Sequence, residues 1–138
     1  MASEHIARAY DDELQKLSNT IVEMGGLAES QLGAAIEAVV ARDTELATNV
    51  VQGDAKADHL EREVDNLAIR VLALRQPVAR DLRAIFAALK IASDLERIAD
   101  YASNVAKRSI ALSHTSGRRM NADAGISTDV HPNATDGE

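Results

Sequence analysis

Apolar residues return along this chain at steps of three, four and seven, and that period restricts its fold more than any other feature. Leu14, Leu17, Ile21, Met24, Ala28, Ala35 and Val39 form one stripe, and Leu60, Val64, Leu67, Val71 and Leu74 form a second. Such steps gather side chains on one face of an α-helix, whereas a half-buried strand would alternate at every second residue. Composition points the same way. Aromatics make up 2% of the chain, and only 7 Gly and 2 Pro punctuate its 138 residues. Sheets lean on aromatic and β-branched residues and on tight turns, while Ala and Leu suit packed helices. The predicted fold class is all-α, an antiparallel three-helix bundle with a disordered C-terminal tail.

The first helix is predicted from about Ile6 to Ala41, with Gly25 and Gly26 inside it marking close helix packing or a slight bend. Asp43 reads as the N-cap of a second helix that ends near Arg75, with Gly53-Asp54 as a potential interruption near its start. Gln76-Pro77 then closes helix two and opens helix three, because proline lacks an N–H and disfavours the α region for the residue before it. Helix three should end near Leu112. From Thr115 to Glu138 the sequence is polar, aperiodic and Gly-containing, so the bundle is assigned to residues 1–114 and the disordered tail to 115–138.

Charge and cysteine content remove several functions. Fifteen Lys and Arg against 22 Asp and Glu give a net charge of −7, which argues against phosphate-backbone binding to nucleic acid. The chain has no Cys, which removes disulfides and thiolate chemistry. No apolar run suits a signal peptide or a membrane span, so the expected location is the cytoplasm. No nucleophile–base pair or phosphate-cradling glycine loop stands out, and no enzyme is predicted.

The candidate site lies on helix three. A helical wheel aligns Val78, Leu82, Ile85 and Leu89, and the same line runs on to Glu96 and Asp100; the apolar stripe of the C-terminal half is predicted to swing to Ile91, Leu95, Ile98, Ala102 and Val105. Carboxylates four apart are neighbours that repel. Asp100 has Arg97 three residues back, but Glu96 has no cation three or four residues away. It must therefore meet a cation on another helix, face water or ligate a metal. Asp58 and Asp65, seven apart on helix two, are further candidate ligands, and hard oxygen donors suit Mg²⁺, Ca²⁺, Mn²⁺ or iron. A solvated acidic pair is the plainer alternative. Lys90, Asp94 and Arg97 read as ordinary helix-surface ion pairs.

Two segments carry a family likeness: Leu74-Arg-Gln-Pro-Val-Ala-Arg-Asp-Leu-Arg83, and Leu89 to Ala106 with its Leu-Glu-Arg-Ile-Ala-Asp core at 95–100. Together with Asp54, Asp58 and Glu61 upstream, they resemble the PhoU family of phosphate-transport regulators over about residues 5–112. The resemblance implies an all-helical fold built from PhoU-like three-helix repeats, of which this chain carries one. It also implies negative regulation of phosphate-starvation signalling, as an adaptor between the phosphate ABC importer, through its ATPase PstB, and the sensor histidine kinase PhoR. Some members bind iron or another metal at a Glu/Asp-x-x-x-Asp motif, which here is Glu96 to Asp100. A face left without a second bundle predicts a homodimer. Two other readings stand beside this one: a metal-binding bundle without a signalling role, and a dimerising structural fragment.

Overall fold

A computed structural model of the chain describes residues 2–126 and consists of three helices: α1 (Ala2–Ala41), α2 (Thr44–Arg75) and α3 (Ala79–Ile126). Two tight connections alternate their direction, so α1 and α3 run parallel with α2 antiparallel between them. Asp43 caps α2 by accepting a 3.0 Å bond from the Leu46 amide. At the other end Gln76 closes α2 in the left-handed region (φ 45°), Pro77 follows, and the Val78 carbonyl accepts from Leu82 N to start α3.

This turn is pinned to α1 by polar contacts. Tyr10 Oη donates to Asp81 Oδ2 at 2.7 Å, and its phenol is pushed up to about 12, first by burial and then by that carboxylate. Arg75 donates to both oxygens of Glu13, at 3.0 and 3.3 Å, and holds the Glu13 carboxyl below its usual range. The repeat's Arg-Gln-Pro-Val-Ala-Arg-Asp segment therefore fixes the register of α3 against α1.

The core has two layers. Leu17, Met24, Leu60, Val64, Val71 and Ile85 fill the end near this turn. Beyond it the helices close on small side chains: Ala35, Ala38, Ala47, Val50, Ala102 and Ala106. The narrow alanine layer corrects the expected swing of the α3 stripe. Of that stripe Leu95 and Ala102 pack inward, beside Ala92, Ala99, Ser103 and Ala106, while Ile91, Ile98 and Val105 are exposed. Small side chains from all three helices fill this layer around Val50, so the larger residues of α3 turn out.

Four local expectations also change. Gly53 does not interrupt α2. A Cβ there would stand 2.5 Å from Gln31 Nε2, so glycine makes space for the buried Gln31 amide, which donates to the Val50 carbonyl at 2.8 Å. Gly25 and Gly26 mark no close packing, since an added Cβ would meet nothing within 4 Å. The ion pairs of the described residues join Lys16 to Glu63 and Glu13 to Arg70 and Arg75; Lys90, Asp94 and Arg97 form none. Finally, α3 continues through Ile126 rather than stopping near Leu112, so residues 115–126 of the expected tail are helical. Residues 114–124 are all exposed, which is why no apolar period announced them. The rest of the tail lies outside the described residues.

Candidate metal site on the α2–α3 seam

Asp54, Asp58, Glu61 and Asp65 are spaced by four, three and four, which lines them along one edge of α2. Antiparallel packing sets this edge beside Glu96 and Asp100 of α3. Glu96, left without a cation in the sequence, meets carboxylates here. It is partly buried, and its carboxyl is pushed up to about 7 by burial first, then by a hydrogen bond with Asp58 and the charges of Glu61, Asp58 and Asp100. The structure thus brings Glu96 and Asp58 into direct contact, with Glu61 alongside.

The other carboxylates flank this centre. Asp54 is raised by burial and by the charges of Asp58 and Asp100, against a partial opposing pull from Lys107. Its Oδ1 is buried with no hydrogen-bond partner. Asp100 is exposed and reaches the group through its field on Glu96 and Asp54. Asp65 lies towards the other end and acts on Glu61, whose carboxyl is raised by burial and then by Asp65 and Asp58. Asp65 is not among the groups that act on Glu96. Asp54 and Glu61 are the members that helical spacing on α3 could not supply; their signal was the four–three–four run on α2.

The donor set fits a hard cation in three respects. It consists of carboxylate oxygens, it includes an orphaned buried oxygen, and burial together with its mutual repulsion pushes the Glu96 carboxyl up to about 7, a repulsion that a cation would relieve. As the side chains stand, no three of them among the described residues are gathered closely enough to ligate one ion. Glu96 would have to exchange its bond with Asp58 for the cation.

Comparison with known proteins bears on the fold and this seam together. The PhoU domain model matches residues 21–109, which contain both helix edges and the turn between α2 and α3. The chain belongs to the PhoU family. A phosphate-specific transport system accessory protein PhoU homolog from Xylella fastidiosa is 52% identical over 108 residues, 78% of this chain and 45% of that protein. A homolog from Caulobacter vibrioides is 46% identical over 80% of this chain and 48% of its own length. The crystal structure of PhoU from Pseudomonas aeruginosa superposes with a TM-score of 0.74 at 40% identity, over 77% of this chain and 51% of that one. The chain spans about half the length of the curated relatives it matches. No helix among the described residues is long and apolar enough to cross a membrane.

Proposed function

We propose that this PhoU repeat regulates phosphate uptake and phosphate-starvation signalling without catalysing a reaction. In this reading it acts in the cytoplasm as a pair of copies and represses the starvation response when phosphate is plentiful. It does so as an adaptor between the phosphate importer's ATPase, PstB by family resemblance, and the sensor kinase PhoR. The observation that carries the reading is the 40–52% identity, over more than three-quarters of the chain, to proteins named as accessory to phosphate-specific transport. Deleting the chain's gene should switch on a starvation-responsive reporter in phosphate-rich medium, and the full chain supplied in trans should switch it off. A reporter that stays silent in the deletion strain would reject the regulatory role. Pull-down of the two partners by the full chain tests the adaptor step.

The carboxylate seam favours a metal as part of this function. Glu96, Asp58 and Glu61 would hold it, with Asp54 and Asp100 on its flank. A bound divalent cation or iron would neutralise the seam and tie α2 to α3. The chain's own residues supply the rest: Lys107 offsets part of the charge on Asp54, and the proton on Glu96 must leave before the cation binds. Metal analysis of chelator-stripped and reloaded protein checks it, with Glu96→Gln expected to retain none.

A further inference from the structure

On the opposite edge of α3 from the carboxylates lies an apolar groove shared with α1. It begins where Leu14 and Ile21 stand beside Ala84 and Ile91, and it ends where Val39 stands beside Leu112. Between these ends α3 presents Ile91, Ile98, Val105 and Leu112, seven apart and all exposed. Residues seven apart recur on one side of a helix, so this is a continuous seam of the kind that packs against another helix.

The rims of the groove carry opposite charge. Asp11 and Glu29 lie on the outer edge of α1, and Arg83, Lys90 and Arg97 on the outer edge of α3, where Asp94 is a single acid among them and the edge is basic on balance; all six are exposed and none belongs to the ion pairs of the described residues. The two ends of the groove fix their heights. Leu14 lies level with Ala84–Ala87 and Val39 with Ser109–Leu112, so Asp11 stands at about the height of Arg83, and Glu29 close to that of Arg97.

We propose that a second copy of this chain docks on the α1/α3 groove about a two-fold axis parallel to the helices, with α1 of each copy lying across α3 of the other. This deepens the two-copy reading above by giving it a face and a geometry. Such an axis brings the acidic rim of one copy onto the basic rim of the other, twice, because a two-fold interface uses the same patch on both sides. An axis at right angles to the helices would stack α3 on α3 and set arginine against arginine. The face is also large enough. From Ala84 to Leu112 it runs about 42 Å, and two packed helices make it roughly 20 Å wide, which approaches the roughly 800 Å² per partner of a standard interface. The mid-helix glycines of α1 fit the same docking. Gly25, Gly26 and Gly33 are each less favourable there than Ala, nothing in the chain approaches within 4 Å of an added Cβ, and their bare backbone admits a close helix.

Sedimentation of the full chain across the micromolar range tests this with two charge variants, Arg83→Glu with Arg97→Glu, and Asp11→Arg with Glu29→Arg. The wild type should run at twice 14.8 kDa. Each variant alone repels itself and should run as a monomer with unchanged far-ultraviolet helicity. An equimolar mixture should restore the dimer, since each variant then meets the opposite charge on both rims. A wild-type monomer would overturn both the pairing and its face. A wild-type dimer that persists in both variants would keep the pairing and overturn the face. Variants that stay monomeric when mixed would overturn the α1-across-α3 arrangement.

Discussion

Replacing Glu96 with Gln in chelator-treated protein should stabilise the fold at neutral to basic pH and leave it unchanged in mild acid. The magnitude follows from the seam. The Glu96 carboxyl moves from 4.5 to about 7, held up by burial and by the carboxylates across the seam. Between those values the folded state keeps a proton that the unfolded chain has released, so folding stability falls as the pH rises through the window. At 1.36 kcal/mol per unit the ceiling is about 3.4 kcal/mol. Glu96 is only partly buried, and solvent screening brings the expected effect nearer to 1–2 kcal/mol. Gln keeps the shape and one donor of the protonated acid and never acquires the charge.

Urea unfolding followed by circular dichroism at about pH 4, below the ordinary glutamate value, and at about pH 8 measures the difference directly. The two proteins should match at the lower pH, with the variant ahead by the stated amount at the higher. Adding a hard divalent cation at about pH 8 should reverse the order. The wild type would gain roughly 2.7 kcal/mol at 100 times its Kd, a contribution the variant lacks. A Gln variant less stable than wild type at about pH 8 in chelator would show that Glu96 has a favourable partner there, and the electrostatic reasoning would fail.

Three further outcomes are expected. Gly53→Ala should lower stability by about 1–2 kcal/mol despite its better helix propensity, because it displaces the buried Gln31 amide from the Val50 carbonyl; a higher melting temperature would refute the contact. Ser103→Ala should raise stability by about 0.5–1 kcal/mol, since the Ser103 hydroxyl is buried without a partner, and an unfolding midpoint below wild type would reveal a hidden bond. Glu13, whose carboxyl is held low by Arg75, contributes stability that is present above its ordinary value of 4.5 and lost as the pH falls through the lowered one. The wild type's advantage over Glu13→Gln should therefore shrink in acid, and an advantage that stays constant down to strong acid would contradict the pair.

Punctuation and period made the helices legible: the Asp43 cap, the Pro77 break and the stripes on α1 and α2 act within a few residues of themselves. The orientation of the C-terminal half of α3 was not legible. Ile98 and Val105 define one stripe and Ala99 and Ala106 another, with Ala102 common to both, and hydrophobicity alone prefers the first. What reverses the choice is the layer α3 meets, built of Ala35, Ala38, Ala47 and Val50 on the other two helices. Glu96 was singled out correctly as a carboxylate lacking a local cation. That its partner would be Asp58, and that Asp54 would be left with a buried bare oxygen, depends on the register of α2 against α3, which the Tyr10–Asp81 and Glu13–Arg75 contacts set from the far end of the bundle.

The alanine layer has a functional consequence as well. By turning Ala99 and Ala106 inward, it presents the carboxylates of α3 to α2 and its isoleucines to the open side of α1. Ile98 follows Glu96 by two residues and so points about 200° away round the helix. A partner on the apolar groove would leave the acidic seam open to a cation, and a cation would tie α2 to α3 without touching the groove. The two sites share one helix yet should respond separately. Glu96→Gln should leave the sedimentation mass as it is in wild type, and Arg83→Glu with Arg97→Glu should leave a cation-dependent rise in melting temperature in place. A charge-reversed monomer that no longer responds to the cation would show that pairing organises the seam through α3, and the two faces would then be one coupled device rather than two independent ones.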